Sequence, residues 1–215
     1  MLIKSMTVGD MAVCCYLVIC EETGEAVIID PGGDEDKILA LCGREKAKVK
    51  YIVNTHGHPD HVCGNAAIKK ATGALIVMHE ADADFFAKAE VEQYFSVLGL
   101  KGSPPVDLQV KDGDRIGFGK ESLLVILTPG HTPGGICLYN APDLFSGDTL
   151  FVGGVGRTDF PGGDGETLAR VIRERLLVLP DRTVVWPGHG YGGAHSTIGA
   201  EKRGNPFLTD NFRIG

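Results

Sequence analysis

Residues 55 to 61 read Thr55-His56-Gly57-His58-Pro59-Asp60-His61 and follow the apolar run Tyr51-Ile52-Val53-Asn54. Packing does not account for three imidazoles and a carboxylate inside six residues. Both groups are ligands for borderline divalent ions such as zinc and iron. Gly57 and Pro59 are turn formers, so the sequence predicts a tight loop here and no helix. In such a loop His56 and His58 can turn toward one ion, while Asp60 and His61 point toward a second.

The same event recurs along the chain. Tyr51-Ile52-Val53 leads into His56, and Leu124-Val125-Ile126-Leu127 leads into Thr128-Pro129-Gly130-His131. Leu144-Phe145 leads into Ser146-Gly147-Asp148, and Val184-Val185-Trp186 leads into Pro187-Gly188-His189. Each buried-type strand delivers a histidine or aspartate at its C-terminal edge, where sheets of α/β proteins place ligands. The candidate donors are His56, His58, Asp60, His61, His131, Asp148 and His189. A catalytic zinc takes three protein ligands and keeps one position for water. This set is too large for one ion and suits two with a shared carboxylate. Hydroxide held between two such ions is a nucleophile at neutral pH.

The elements that must position these groups can be read around them. Residues 1 to 30 read as consecutive strands, with Ala12 to Ile19 and Ala26 to Ile29 separated by a turn at Glu21 to Gly24. After Asp30-Pro31-Gly32-Gly33, Asp34 is placed to cap a short helix ending near Gly43. Helix formers run from Gly64 to Ala71 and stop at Thr72-Gly73, a strand covers Ala74 to Met78, and a helix is expected from Glu80 to about Tyr94. Further strands are expected at Gly113 to Phe118, Ser122 to Leu127, Ile136 to Tyr139, Leu144 to Phe145 and Asp181 to Trp186. Between the last two, Leu168, Val171, Ile172, Leu176 and Leu179 recur at helical spacing. Each half passes through strands and then helix and strand, which suggests a pseudo-repeat.

The chain has 215 residues, 43% hydrophobic and 23% charged, with a net charge of -7. That is an ordinary globular composition, read here as a single domain over 1–215. The acidic balance argues against a nucleic-acid surface, and the basic stretch Arg44 to Lys50 is read as a solvated connection. Glycine, at 30 residues, is about twice the typical share of ~7% and clusters near the histidines and aspartates, as close backbone turns around a site require. The six cysteines contain no C-x-x-C pair and are read as reduced thiols. Cys63 is read as a packed residue at a helix start. No run reaches the ~18 apolar residues of a membrane span, and Met11 to Cys20 lacks the flanks of a signal peptide. The expected location is the cytoplasm, with no membrane partner.

On these motifs the chain resembles the metallo-β-lactamase fold hydrolases: the Asp30-Pro31-Gly32 turn, the His-x-His-x-Asp-His loop, Pro129-Gly130-His131-Thr132, Gly147-Asp148 and Pro187-Gly188-His189. The resemblance implies an α/β fold, a four-layer αββα sandwich of two mixed sheets flanked by helices. It also implies that His56, His58 and His131 hold a first ion, that Asp60, His61 and His189 hold a second, and that Asp148 bridges them. Two divalent ions are expected, zinc first, with iron or manganese as alternatives.

Ser146 to Arg157 and His189-Gly190-Tyr191 look like segments of the glyoxalase II group, which implies that Arg157 and Tyr191 contact a glutathione-derived substrate. Arg157 could equally pair with Asp159, and Tyr191 could simply pack over the site. The helical C-terminal domain of glyoxalase II is absent from 1–215, so this looks like a small single-domain, glyoxalase II-like protein. The expected reaction is attack of metal-bound hydroxide on a thioester, with Asp60 both holding metal and orienting the hydroxide. Gly156 to Phe160 and Glu201 to Leu208 also look like persulfide dioxygenases. Those imply one Fe(II) oxidising glutathione persulfide with O₂. A phosphodiesterase or nuclease is the third reading. The partner is expected to be a small thiol-derived molecule, and the protein a monomer or homodimer. His79 is read as a satisfied structural histidine; His195 is close to His189 in sequence, and support of that residue is the minority reading there.

Overall fold

Val13–Ile19 carries no charged residue, and in the computed structural model, which describes residues 1–209, all of its side chains are buried. Strand side chains alternate faces, so a strand buried throughout must be covered on both sides. Cys14, Tyr16 and Val18 point into a core shared by two sheets. Val13, Cys15, Leu17 and Ile19 point the other way, under helices.

The first sheet contains β1 (Leu2–Val8), β2 (Val13–Ile19), β3 (Glu25–Ile29), β4 (Lys48–Val53), β5 (Leu75–His79) and β6 (Leu108–Val110), in that order. Its first three strands are antiparallel and β3 to β6 are parallel. The second contains β7 (Arg115–Phe118), β8 (Glu121–Leu127), β9 (Ile136–Asn140) and β10 (Asp143–Gly147). The hairpin β11 (Leu150–Phe151) and β12 (Gly154–Val155) stands apart. β13 (Val184–Pro187) then pairs parallel to β10, and β14 (Ser196–Thr197) closes the edge. Both sheets are mixed.

Helices cover the outer faces. Ile38 and Leu41 of α1 (Glu35–Arg44) and Ile68 of α3 (Asn65–Thr72) pack on the first sheet. Leu168 of α6 (Gly165–Val171) and Ile198 of α7 (Ile198–Gly204) pack on the second. The result is the expected four-layer αββα sandwich. The suggested repeat is visible in the topology, since β2-β3-α1-β4 and β9-β10-α6-β13 each run an antiparallel pair into a parallel crossover.

Several local expectations are corrected. Pro59–Val62 is one helical turn, α2, because proline at its first position gives up no helical hydrogen bond. The expected helix from Glu80 is two, α4 (Glu80–Phe86) and α5 (Ala89–Phe95), interrupted at Ala87-Lys88. Asp34 precedes α1 in a left-handed conformation and makes no side-chain cap; its carboxylate accepts from the Gly9 N–H and pairs with Lys37. Residues 172–176 continue α6 in wider π turns. Residues 210–215 of the expected 1–215 domain lie outside the described residues. Among the described residues no helix is long and apolar enough to cross a membrane.

The inter-sheet core carries the fold, and Phe145 is fully buried there with its ring 5.2 Å from Tyr16. Phe145→Ala is expected to cost roughly 3–5 kcal/mol in urea unfolding, whereas Val178→Ala, at a 70% exposed position, should stay within about 0.5 kcal/mol.

Candidate metal centre

The four strand ends meet at one edge of the sandwich. β4 releases the chain into Asn54-Thr55-His56, and the Asn54 amide donates to the His61 carbonyl (3.2 Å) and pairs with Asn65. β8 and β10 run the same way, each being antiparallel to β9, and β13 is parallel to β10. Their ends supply His131, Asp148 and His189. Gly188 donates its N–H to the Gly147 carbonyl (2.8 Å), and a Cβ at Gly188 would run into Asp148 Oδ1. Gly147 itself has φ of +49°, which turns the chain sharply before Asp148.

His56, His58 and His131 form one donor set, with ring centroids 4.6–4.8 Å apart. Asp60, His61 and His189 form a second. In it Asp60 Oδ2 lies 3.6 Å from His61 Nε2 and 3.5 Å from His189 Nε2. Asp148 stands between the sets. Its Oδ2 is 3.6 Å from both His131 Nε2 and His189 Nε2, and its Oδ1 is 3.5 Å from His61 Nε2.

The outward-facing nitrogens of the rings settle what faces the cleft. His131 Nδ1 donates to the Arg157 carbonyl at 2.7 Å. His61 Nδ1 donates to Asp30 Oδ2 at 3.0 Å, and His56 Nδ1 lies 3.1 Å from Thr55 Oγ1, which itself donates to Asp30. Each of these bonds turns Nε2 inward, the orientation that metal-binding histidines use.

Whether the cleft suits divalent ions can be judged from its unmet bonds. His56 Nε2, His58 Nε2, His131 Nε2 and Asp148 Oδ1 are buried without a hydrogen-bond partner. Orphaned buried acceptors cost free energy unless something fills them. Burial pushes the imidazoles of His56, His58 and His131 below their ordinary pKa, so they are neutral and ready to ligate. Burial would likewise lower His61, but Asp148, Asp60 and Asp30 outweigh it and raise its pKa to about 10. For Asp60 burial works to raise the carboxyl, yet His61 and His189 hold it well below the usual range. Carboxylates thus outnumber cations in a dry cleft. The donors fit divalent metal.

The remaining predicted residues separate. The Arg157 guanidinium makes two 2.7 Å bonds to Asp159 and lies 3.8 Å from the Phe160 ring centroid. Tyr191 is exposed, its ring parallel to His189 at 4.8 Å. His79 is buried and accepts from the Ala81 N–H at the start of α4, a structural role as expected. His195 is exposed and packs on Trp186, away from the donor sets. Cys63 follows α2 and is half-buried, and all six cysteines are free thiols.

Two positioning residues escaped the sequence reading. Asp30 was visible only as part of a turn; it accepts from the Thr55 N–H, the Thr55 hydroxyl and His61. Asp82 was covered only as part of the helix expected from Glu80. It is fully buried and accepts from Gly57 N–H (2.9 Å), Thr132 Oγ1 (2.8 Å) and Gly134 N–H (2.5 Å), clamping the His58 loop to the His131 loop. Burial outweighs those bonds and raises its pKa to about 6.

Comparison with known proteins agrees with this geometry. The model of the family described as "Metallo-beta-lactamase superfamily" matches residues 8–189. A hydroxyacylglutathione hydrolase, GloC, of Haemophilus influenzae is 36% identical over 195 residues, covering 89% of this chain and 91% of that protein. A hydroxyacylglutathione hydrolase of a Polaromonas species is 42% identical over 180 residues, covering 82% of this chain and 61% of its own length. Among solved structures, the BLEG-1 B3 metallo-beta-lactamase superposes with a TM-score of 0.88 at 32% identity, covering 97% of this chain and all of that one. ETHE1 from Myxococcus xanthus gives 0.83 at 30% identity, covering 97% and 84%. TTHA1623, solved in a di-iron-bound form, gives 0.81 at 36%, covering 95% and 100%.

Two outcomes follow from the clamp and the titrations. Asp82→Asn leaves at least one of the three donors without an acceptor, and should weaken metal binding at the three-histidine set by on the order of ten-fold. Stoichiometric titration of the metal-free protein should register that loss with the Asp60 set less affected. His61 is protonated below about pH 10 and must lose that proton to ligate. Metal uptake by its set should therefore release about one proton and tighten as pH rises from 6.5 toward 10, which calorimetry in buffers of different ionisation enthalpy measures.

Proposed function

The chain belongs to the metallo-beta-lactamase superfamily, and within it we propose a metal-dependent thioester hydrolase, with S-2-hydroxyacylglutathione as the first substrate. The protein is a metallo-hydrolase, and the thioester is our reading of its substrate. The observation carrying the proposal is the pair of complete donor sets joined through Asp148. The names of the Haemophilus and Polaromonas relatives support the thioester.

We assign His56, His58 and His131 to one ion, Asp60, His61 and His189 to another, and Asp148 to both. Nitrogen and carboxylate donors suit zinc, with iron or manganese as alternatives, and the di-iron neighbour keeps iron in view. Two such ions supply hydroxide at neutral pH and polarise a carbonyl oxygen as Lewis acids. Asp60, held ionised by His61 and His189, would hold one ion and orient the hydroxide that the ions supply. Asp30, Thr55 and the Arg157 carbonyl keep the imidazoles from turning. A thiolate departs without a strong general acid, which agrees with the lack of an evident one in the sequence. We assign Tyr191 and Arg157 to the thiol arm, Arg157 after exchanging Asp159 for a substrate carboxylate. Free thiols throughout suit a reducing cytoplasm, and the partner is a small molecule rather than nucleic acid or membrane.

The second reading is one Fe(II) oxidising glutathione persulfide with O₂. It draws on the Gly156 to Phe160 segment and on the likeness to ETHE1.

Metal quantification beside both assays decides between them. Two ions per chain with thioester cleavage uphold the hydrolase; one iron per chain with oxygen uptake and no cleavage overturns it. Asp148→Asn should lower metal content and reduce thioester turnover by about a thousand-fold, roughly 4 kcal/mol of transition-state stabilisation. Full turnover in that variant would sink the assignment.

A further inference from the structure

The two flanks of the donor cluster differ in chemistry. Beside His189 stands Tyr191, with its phenol exposed to solvent. Against His58 stand three phenylalanine rings: Phe86 at 5.4 Å, Phe95 at 5.1 Å and Phe160 at 5.7 Å. Phe95 also lies 5.8 Å from Phe86 and 5.7 Å from Phe160, so the rings make one continuous wall. Tyr94, 47% exposed, extends it toward solvent, 6.3 Å from Phe160. The cation on this wall, Arg157, is engaged by Asp159 and by the face of Phe160.

Phe86 and Phe95 also line a cavity of about 540 Å³, together with Val62, Met78, Val91 and Leu100. Gly57 and Pro59, the chain neighbours of His58, border the same cavity. Its size falls in the range of small-molecule sites, roughly 300–1,000 Å³. The cavity thus borders the chain on either side of His58, and two of the wall's three phenylalanines line it.

A thioester has two arms. The glutathionyl arm carries two carboxylates and two amides that find no hydrogen-bond partner on phenylalanine rings, and its ammonium would meet the Arg157 guanidinium already seated on Phe160. The acyl arm can be wholly apolar beyond the reacting carbonyl. Resting on the thioester reading above, we propose that Phe86, Phe95 and the cavity they line form the acyl subsite, with Phe160 at its boundary, where Arg157 faces the thiol arm. The preferred substrate then carries a bulky apolar acyl group, aromatic for choice, rather than a short hydroxylated one.

S-Lactoylglutathione and S-mandeloylglutathione test this. They share the thiol and the 2-hydroxyacyl carbonyl and differ by methyl against phenyl. The metal-loaded, full-length protein should show a kcat/KM for the mandeloyl ester on the order of ten-fold higher, as burial of the extra apolar surface allows. Phe95→Ala, which removes part of the wall, and Leu100→Trp, which fills the cavity from a loop, should each bring the ratio back toward one. A ratio at or below one in the parent protein, or one that neither variant moves, overturns the subsite. Calorimetric binding of the acids mandelate and lactate to the metal-loaded protein reads the same preference without turnover. Tighter mandelate binding that Phe95→Ala abolishes, with neither ester cleaved, would uphold the subsite and overturn only the hydrolase reading. Equal binding of the two acids with no cleavage overturns both.

Discussion

An excess of buried negative charge governs this molecule. Asp30, Asp60 and Asp148 converge on one cleft with five imidazoles, and the burial that shelters the imidazoles also favours their neutral form in three of them. A single raised histidine, His61, cannot balance three carboxylates in a desolvated space. Unpaired charge in such a place is expensive, and divalent cations are the economical answer. The second ring of contacts follows from the same constraint. Asp30 has both oxygens occupied by Thr55 and His61, so it orients a ligand while remaining unavailable as one.

No single loop could gather these groups, which is why two sheets are needed. The strands ending at the cleft belong to different sheets, and the bonds that tie the sheets together lie beside it. The Tyr16 hydroxyl donates to the Pro187 carbonyl at 2.6 Å, the Cys14 N–H to Gly188 at 2.8 Å and the Ile136 N–H to Thr55 at 2.8 Å. Each joins a strand of one sheet to the catalytic edge of the other. The apolar core behind them can be exchanged for other apolar residues of similar volume, but these cross-links fix the distance between the donors that the two sheets contribute to each set. Gly188 belongs to the same logic, since any side chain there would displace Asp148.

Strand-borne features were legible in the sequence because they carry two signals at once, an apolar run and a polar residue at its end. β4, β8, β10 and β13 each announce a donor in that way, and all the donors so read come together. Features that depend on a partner far along the chain were not legible. Asp82 lies 50 residues from Thr132, and nothing near it in sequence distinguishes it from its exposed neighbour Asp84. The break between α4 and α5 was hidden for a related reason. Ala87 and Lys88 are acceptable helix residues, and the turn there is imposed by packing Phe86 and Phe95 together against His58. Pro59 was read as a loop former because proline favours turns and helix first positions alike, and only the following residues' hydrogen bonds decide between the two.

The donor cluster does not by itself choose a reaction, and the rim that we propose contacts the substrate is mechanically joined to it. Arg157 shows how. Its carbonyl fixes the His131 ring, while its side chain reaches into solvent and closes on Asp159. An incoming carboxylate could draw the guanidinium away from Asp159 only if the backbone stayed in place; moving the backbone would release His131. On the proposed reading, recognition by Arg157 would proceed by side-chain exchange on a fixed main chain. The same fixity applies to Phe160, three residues on, which holds one end of the aromatic wall and supports the guanidinium. A substrate that engages this segment is thus reported to the first donor set through one hydrogen bond of 2.7 Å.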